Sequence, residues 1–314
     1  MAQPELSVVT TLYRSAPFLA EFLARATAAA EAASASHEIV VVDDGSPDDA
    51  LDIAIRAAQA DPRIRVIELA RNFGHHAAIL AGLTHARGER VFLVDSDLEE
   101  PPELLLRFAA ALEAEDADVV YGYHDQKVGS RMRQFASGLF WRLFNLLSET
   151  HTRENICHVR LMRRAYVDAL LSLPERNIFL GGLYSWPGFR QVPMRVERVI
   201  NRPVSTYNLR RRIALAVRSV VAFSARPLHL VFMLGAGIAG ISLLVALATL
   251  ALRLVWGSEM LVGFASIMIS IWFLGGLTIM SLGVIGLYIA QLYTEAKGRP
   301  RWLVRRIHGG QGPR

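Results

Sequence analysis

The stretch that decides the fold is Val91-Phe92-Leu93-Val94-Asp95-Ser96-Asp97-Leu98-Glu99-Glu100-Pro101-Pro102. Its first four residues are apolar, which predicts a buried strand of an α/β sheet. Asp95 and Asp97 follow at the carboxyl end of that strand, where open α/β sheets bind ligands. Side chains two residues apart point the same way along an extended strand, so both carboxylates can face one ion. Such oxygen ligands suit Mg²⁺ or Mn²⁺, whereas the plainer alternative is a solvated acidic loop.

The sequence around this stretch alternates between strand-like and helix-like segments. The expected strands are 6–12, 38–43, 64–69, 90–95 and 118–122, and the expected helices are 17–33, 48–60, 75–87 and 102–115. Strands that alternate with helices of this length predict βαβ units and a mostly parallel sheet. No Gly-x-Gly-x-x-Gly motif follows the first strand, which disfavours a dinucleotide-binding Rossmann domain.

The composition is typical of a membrane-associated protein without disulfides. Of 314 residues, 52% are hydrophobic, and the formal net charge is +5. The apolar excess falls after residue 227 with basic residues beside it, so membrane lipid is a better partner than nucleic acid. Cys157 is the only cysteine, which excludes an intrachain disulfide, predicts no cysteine-based zinc site and favours a small buried hydrophobe. No signal peptide opens the chain, so we expect the front domain in the cytosol.

Polar residues also follow the second and third expected strands. Asp43 and Asp44 begin an Asp-Gly-Ser-Pro turn, where a carboxylate can accept hydrogen bonds from a nucleotide base or ribose. Arg71, after the third strand, can balance the charge of a phosphate. His75 and His76 point about 100° apart on a helix. We therefore expect them at a solvated helix start rather than as joint metal ligands.

A basic and aromatic segment lies between residues 127 and 148. Arg133 and Ser137 are spaced i, i+4 and therefore share one face of a helix. A guanidinium and a hydroxyl on one face form a plausible phosphate clamp. An ordinary amphipathic helix with solvated arginines explains the same pattern, and the residues alone do not separate the two interpretations.

The last third of the chain has the pattern of a membrane segment. Residues 208–227 are amphipathic and rich in arginine, which predicts a helix in the membrane interface. Residues 228–252 carry no charge and are long enough to cross a bilayer, and 261–292 form a second such run. Basic residues flank the pair on its outer ends, so we expect both termini in the cytoplasm. Glycines in both runs suit helix pairing within this hairpin or between subunits of a homo-oligomer equally well.

Several short motifs occur together in one order along the chain. They are Val42-Asp43-Asp44-Gly45-Ser46, Arg71-Asn72-Phe73-Gly74, Asp95-Ser96-Asp97-Leu98, Arg160-Leu161-Met162, Arg202 with Ser205 and Tyr207, and the carboxyl-terminal hairpin. Together they resemble polyprenyl-phosphate glycosyltransferases of the dolichyl-phosphate mannose synthase and bacterial GtrB-like type, in the GT-A, family 2 glycosyltransferases. The resemblance implies a GT-A domain at 1–207, an amphipathic helix at 208–227, a two-helix transmembrane hairpin at 228–292 and a basic cytoplasmic tail at 293–314.

The same resemblance implies an activity at the bacterial plasma membrane. A sugar would pass from a nucleotide-sugar donor to a polyprenyl phosphate of the undecaprenyl type, with inversion at the anomeric carbon and with Mg²⁺ or Mn²⁺. The donor-binding residues would be Tyr13, Asp43, Asp44, Arg71 and Asp95, and the metal ligands Asp95, Asp97 and Glu99. The acceptor phosphate would contact Arg133, Ser137, Arg202 and Ser205, and the catalytic set would be Asp95, Asp97, Arg133, Ser137, His158 and Arg160.

The chain departs from the family pattern at three places near the expected site. Thr11-Leu12-Tyr13-Arg14-Ser15 stands where the first strand of relatives usually ends in Pro-x-Tyr-Asn-Glu, which bears on the donor contacts there. His158 stands where many relatives carry an aspartate, and it either takes over that role or is a packed histidine. Gly122-Tyr123-His124 stands where relatives often carry Gly-x-Arg. We therefore expect an unusual donor sugar or a divergent subfamily.

Two other functions remain open at this point. A processive polysaccharide synthase would share the α/β domain, but those enzymes usually carry a Gln-x-x-Arg-Trp motif and more membrane spans. A catalytically silent membrane scaffold or lipid-binding partner is the third possibility. The presence of both Asp95 and Asp97 favours an enzyme over that scaffold.

Overall fold

The computed structural model describes residues 3–124, 156–175, 180–197 and 264–310, together with 231–238 and a few further positions between 228 and 251. The chain divides into two compact units. The first comprises Met1–Trp141, Thr150–Thr206 and Arg299–Arg314, and the second comprises Arg142–Glu149 and Tyr207–Gly298.

The first unit begins with alternating strands and helices, as the sequence predicts. The elements are β1 (Leu6–Leu12), α1 (Ala16–Ala33), β2 (His37–Asp43), α2 (Ala50–Ala60), β3 (Ile64–Leu69), α3 (His75–His85), β4 (Arg90–Leu93), α4 (Leu104–Ala114) and β5 (Val119–Tyr123). They are followed by β6 (Ile156–Arg163), α5 (Arg164–Ser172), α6 (Leu180–Leu183) and β7 (Gln191–Arg195). The nine elements up to β5 confirm the expected ones, with ends that differ by at most two residues.

The strands form one eight-stranded sheet in the order β7-β5-β6-β4-β1-β2-β3-β8, where β8 is Val304–Gly309. Strands β1 to β4 pair in parallel, whereas β6 runs antiparallel between β4 and β5. From β1 the chain proceeds outward to β3 and then crosses to the other side of β1 as β4. Strands β1 and β4 therefore flank a topological switch point, where α/β sheets bind ligands at the carboxyl ends of the strands.

Apolar side chains on both faces hold this part of the sheet in place. On one face, α1 and α4 pack on the sheet, and the ring of Phe108 meets Phe92 edge-on at 6.1 Å between centroids. On the other face α3 approaches closely at Gly82, where a Cβ would lie 2.5 Å from the Val9 side chain. Close contact of α3 with β1 brings the first turn of that helix to the carboxyl ends of the strands.

The carboxyl-terminal segment corrects the expected division of the chain. Residues 293–314 were predicted to be a basic cytoplasmic tail, but 304–309 form β8, which pairs antiparallel with β3 at the sheet edge. Glu68 on β3 is buried, and its carboxylate contacts Arg305 at 3.2 Å and His308 at 3.0 Å. The basic residues that suggested a solvated tail thus include ion-pair and hydrogen-bond partners for a buried acid.

The second unit contains a long apolar helix, α7 (Phe264–Ala296). Among the described residues, α7 alone is long and apolar enough to cross a membrane, with a mean hydropathy of 1.9 over Phe273–Ala296. Its end lies four residues beyond the expected span at 261–292. Residues 231–238, within the other expected span, are helical, and the rest of 228–252 lies mostly outside the described residues.

Candidate functional site

The loop after β4 carries the two aspartates that the sequence singles out. Because β4 ends at Leu93, both lie beyond the strand, and the expectation that strand periodicity aligns them is wrong. Ser96 instead anchors the loop, since its Oγ lies 2.9 Å from the Thr11 carbonyl oxygen and 2.9 Å from Ser15 Oγ. The loop thereby joins the end of β1 at the switch point.

A tight turn then directs the second aspartate. Leu98 adopts a left-handed backbone conformation with φ 61° while its side chain is buried, and the Glu99 N–H donates to Asp97 Oδ1 at 3.0 Å. A left-handed leucine costs about 1–2 kcal/mol, so packing of the Leu98 side chain must hold this turn. Such strained turns occur frequently at functional sites.

The turn opens into a cavity of about 210 Å³ with an acidic wall. Its lining includes four carboxylates from one short stretch, Asp95, Asp97, Glu99 and Glu100, and histidines from β6 and from the end of β5. The structure thus brings together the three residues that the family resemblance assigns to a metal ion, Asp95, Asp97 and Glu99. It adds Glu100, which the sequence analysis did not single out.

Asp95 has the surroundings of an acid that lacks a counterion. Its Oδ1 is buried and has no hydrogen-bond partner within the part of the chain that the structure describes, and His75 Nε2 lies 3.5 Å from it. Burial, followed by the charges of Glu100, Asp97 and Glu99, raises the pKa of Asp95 to about 8. Because a divalent cation would supply a partner for Oδ1 and offset the clustered negative charge, these residues fit Mg²⁺ or Mn²⁺.

Asp43 and Asp44, at the end of β2, organise the neighbouring loops. Asp43 accepts hydrogen bonds from the N–H groups of Gly45 and Ser46 at 3.1 and 3.2 Å, and burial raises its pKa to about 6. Asp44 accepts from the N–H groups of Phe73 and Gly74 at 2.7 and 2.9 Å. Asp44 thereby fixes the entry into α3. Each carboxylate oxygen of Asp43 and Asp44 keeps a lone pair that can accept a further hydrogen bond from a bound ligand.

Three histidines meet beside Asp95, which the sequence analysis did not foresee. The His158 ring, from β6, lies 4.9 Å from His75 and 5.6 Å from His76 between centroids. The two adjacent histidines do begin α3, but His75 also contacts Thr11 Oγ1 at 3.2 Å. Desolvation lowers the pKa of His75 to about 4 and that of His158 to about 2. The imidazoles of His75 and His158 are therefore neutral at physiological pH, and His158 cannot supply the negative charge of the aspartate that the family resemblance places at its position.

Arg160 is buried below this cluster. Its guanidinium lies over the Tyr184 ring at 3.1 Å from the centroid and donates to the carbonyl oxygens of Cys157 and His158 at 3.3 and 3.2 Å. It is 1% exposed and is not among the residues that line the cavity. These contacts tie Arg160 to the strand end that carries His158, and the assignment of Arg160 to the catalytic set stays a prediction.

The remaining predicted residues fall into two groups. Tyr13 and Arg71 are exposed beside the carboxyl ends of β1 and β3, and Arg71 stacks on the Phe73 ring at 4.3 Å. The expected acceptor-phosphate residues lie outside the described residues: Arg133, Ser137, Arg202 and Ser205. Their assignment stays a prediction.

Two further residues of the cavity were missed as site residues. Glu100 was considered only as the end of the acidic stretch, and Cys157 as a buried hydrophobe; Cys157 is indeed buried. His124 was noted because it replaces an arginine of the family pattern, and that departure was the one sequence signal for its place on the cavity wall. No local sequence pattern predicts that Glu100, Cys157 and His124 would meet on one cavity wall.

Fold and site together define a class of protein. A mostly parallel α/β sheet without a dinucleotide fingerprint, with clustered carboxylates at its switch point, is an architecture that glycosyltransferase domains use. Residues 7–171 match the family model described as Glycosyl transferase family 2, and the chain belongs to that family. This confirms the resemblance drawn from the motifs and identifies the protein as a transferase enzyme.

Curated relatives cover nearly the whole chain. A protein of Mycobacterium tuberculosis (strain CDC 1551 / Oshkosh) named "Putative glycosyltransferases" is 44% identical over 97% of this chain and 88% of its own length. The "SfII prophage-derived bactoprenol glucosyl transferase" of Shigella flexneri is 34% identical over 87% of this chain and 88% of its own length. Among solved structures, the mannosyltransferase PcManGT from Pyrobaculum calidifontis in complex with GDP-Man and Mn2+ is 20% identical, with a TM-score of 0.43, over 94% and 88% of the two chains.

Proposed function

We propose that the protein transfers one sugar from a nucleotide-sugar donor to a polyprenyl phosphate, with inversion. The observation that carries the proposal is the acidic cavity at the switch point, in a chain 34% identical to a bactoprenol glucosyl transferase along most of its length. A glucosyl donor and undecaprenyl phosphate are therefore the first substrates to test.

The reaction needs little acid–base chemistry from the protein. A lipid phosphate has a second pKa near about 6, so its oxygen is already an anion at neutral pH. That oxygen attacks the anomeric carbon, and the bond to the nucleotide diphosphate breaks with its electron pair leaving on the diphosphate. A neutral His158 suits this scheme, because no strong base is required.

The residues of the chain then act by position and charge. Asp95, Asp97 and Glu99 would hold a divalent cation, which neutralises negative charge on the diphosphate when bound. Asp43 and Asp44 would hold the base and ribose of the donor at the end of β2. Arg71, exposed beside them, would face the phosphates. Holding donor and acceptor in line is the main source of rate in such a site.

We also propose that the chain crosses the membrane twice, with the α/β domain and both termini in the cytoplasm. The chain leaves the sheet after β7 and returns to it as β8. Since both strands belong to one sheet, the number of crossings between them must be even. A crossing by α7 therefore requires another before it, and 228–252 is an uncharged run of sufficient length.

Purified full-length protein tests the reaction directly. It is mixed with Mg²⁺ or Mn²⁺, undecaprenyl phosphate and a panel of labelled nucleotide sugars, and the lipid product is analysed by mass spectrometry. We expect one donor to give a product with a single added hexose. Products with many sugars would favour a processive synthase instead.

Asp97→Asn supplies the matched variant for this assay. We expect turnover to fall by about 10²-fold or more because the variant loses a cation ligand and a negative charge at the centre of the site. Asp52→Asn, on the exposed side of α2, controls for the residue change and should keep full turnover. An Asp97→Asn variant with undiminished turnover would refute the assignment of the acidic cavity.

The topology is tested with reporter fusions. Green fluorescent protein after the last residue should fluoresce, because that side is cytoplasmic, and alkaline phosphatase there should be inactive. Alkaline phosphatase fused between residues 253 and 260 should be active. Activity at both sites would contradict an even number of crossings.

A further inference from the structure

Three different metal-ligating side chains meet on one wall of the cavity. Glu100 follows β4, His124 follows β5 and Cys157 lies on β6, and these strands are neighbours in the sheet. One ligand atom from each lies within 4.8 Å of the other two. Glu100 and Cys157 are each 7% exposed. None of the three belongs to the carboxylate set assigned above to Mg²⁺ or Mn²⁺.

The hydrogen bonds of His124 orient its ring for this cluster. Its Nδ1 lies 3.0 Å from the Val196 carbonyl oxygen, and its Nε2 lies 2.9 Å from Glu100 Oε1. A carbonyl oxygen only accepts, so Nδ1 carries a hydrogen and donates it. A histidine that donates one N–H to a backbone carbonyl presents its other nitrogen in a fixed direction, which is the usual arrangement behind a metal-bound imidazole.

We propose that Glu100, His124 and Cys157 form a site for a divalent transition metal, with Zn²⁺ as the ion their chemistry suits. A thiolate, an imidazole and a carboxylate together favour Zn²⁺ over Mg²⁺, which prefers oxygen ligands alone. The metal takes the place of the hydrogen between His124 Nε2 and Glu100 Oε1 and of the thiol hydrogen of Cys157, and both hydrogens leave to the solvent as protons. Three protein ligands leave a fourth position, which opens to the cavity. The site is additional to the carboxylate site and does not depend on the transfer reaction.

The geometry requires only a small adjustment. Ligand atoms at about 2.0–2.3 Å from one tetrahedral Zn²⁺ lie about 3.3–3.6 Å from one another. His124 Nε2 and Glu100 Oε1, which are 2.9 Å apart, therefore need to separate slightly, and a pair at the 4.8 Å limit needs to close by roughly 1–1.5 Å. Side-chain rotation at Glu100 and Cys157 can cover such distances. No strand has to move.

Cobalt is the probe, because Co²⁺ replaces Zn²⁺ and reports its ligands by absorption. Metal-free, full-length protein in detergent is titrated with Co²⁺ in excess Mg²⁺, which occupies oxygen-only sites. We expect a thiolate-to-cobalt charge-transfer band that saturates at one Co²⁺ per chain and disappears when Zn²⁺ is added. Because the chain has a single cysteine, the band can only come from Cys157.

Variants separate this site from its surroundings. Cys157→Ser should abolish the band. Since loss of a group that merely supports a ligand already lowers metal affinity by about 10- to 100-fold, His124→Gln should weaken Co²⁺ binding by at least about 100-fold. Asp97→Asn should keep the band. His37→Gln is the matched control, because His37 is buried and its Nδ1 also lies near a backbone carbonyl, that of Ser34 at 3.2 Å, away from any thiol.

Three results would overturn the proposal. The first is the absence of the band in folded wild-type protein at saturating Co²⁺, which needs no variant to interpret. The second is unchanged Co²⁺ affinity in a folded His124→Gln protein. The third is a band that persists in Cys157→Ser. Folding is checked by circular dichroism in each case, and transfer activity is not used as the readout.

Discussion

Asp43→Asn should make the stability of the protein less dependent on pH, and the structure gives the size of the effect. Asp43 is 2% exposed at the end of β2. Burial, followed by the charges of Glu68 and Asp44, raises its pKa from 3.8 to about 6, although two backbone N–H groups of its own turn oppose the shift. The folded protein therefore holds the Asp43 proton more tightly than the unfolded chain does.

The sign and magnitude follow from that difference. Stabilisation by the protonated Asp43 is complete below its unfolded pKa and is lost as the pH rises through the folded pKa. A shift of roughly two pKa units corresponds to at most about 3 kcal/mol, and relaxation of the folded protein around the charged carboxylate reduces it to about 2 kcal/mol. About half of this loss, roughly 1 kcal/mol, falls between about pH 5 and about pH 7.5.

Thermal unfolding followed by tryptophan fluorescence measures the effect. The asparagine side chain does not titrate. Its amide has one accepting oxygen in place of two, so it keeps only one of the two hydrogen bonds from backbone N–H groups, and the variant loses a hydrogen bond at every pH. Comparison at about pH 5 and about pH 7.5 cancels that constant loss. We expect the difference in Tm between variant and wild type to shift by about 2–4 °C in favour of the variant at the higher pH.

Asp52→Asn is the control for this experiment, because Asp52 is exposed on α2. Its Tm relative to wild type should be the same at both pH values within about 1 °C. If the Tm difference between Asp43→Asn and wild type were also the same at both pH values, or shifted in favour of wild type, the Asp43 carboxyl would be charged over the whole pH range tested. The argument from burial would then be wrong.

Predictions for four further substitutions concern stability measured by thermal unfolding, and one of them also concerns digestion by trypsin. Gly45→Ala should cost about 2–4 kcal/mol, because its φ is 63° and a Cβ would lie 2.7 Å from the Asn72 backbone nitrogen. Gly74 also has a positive φ, but a Cβ there would meet open space, so Gly74→Ala should lower the free energy of unfolding by only about 1–2 kcal/mol. Equal losses of stability in the two alanine variants would contradict the predicted clash at Gly45. Glu68→Gln should lower the free energy of unfolding by about 1–3 kcal/mol and expose the β8 segment to trypsin, because the contacts of Glu68 with Arg305 and His308 weaken. Unchanged digestion by trypsin would show that backbone pairing with β3 is enough to hold β8 in place. Tyr184→Phe should change stability by less than about 1 kcal/mol, because its buried hydroxyl has no hydrogen-bond partner among the described residues, and a larger loss would reveal one.

Much of the first half of the fold could be predicted because its signals are local. Buried parallel strands appear as short apolar runs, and turn-forming residues separate them from the helices, so β1 to β5 and α1 to α4 were placed within two residues. The acidic stretch after β4 was visible for the same reason. The structural reason why both aspartates face one cavity was not visible in the sequence. The left-handed turn at Leu98 and the Ser96 anchor direct them there, rather than strand periodicity.

The meeting of side chains from distant parts of the chain could not be predicted in this way. His75 and His158 were each judged by their own neighbours, and the sequence carries no mark that β6 inserts between β4 and β5 and brings them together. The same insertion places Glu100, His124 and Cys157 on one wall. Departures from the family pattern singled out His124 and His158, but they did not predict which side chains the two histidines would contact.

By itself, then, the sequence determined the family, the α/β order of the catalytic half, the acidic strand end and the apolar segments, because each depends on residues close together in the chain. The tertiary structure alone decided that the basic carboxyl-terminal segment is an edge strand and that the cavity has a histidine, thiol and carboxylate wall. Strand pairing across more than two hundred residues, as between β3 and β8, depends on which edge is unoccupied and which buried acid needs a partner. Those are properties of the folded sheet and not of any stretch of sequence.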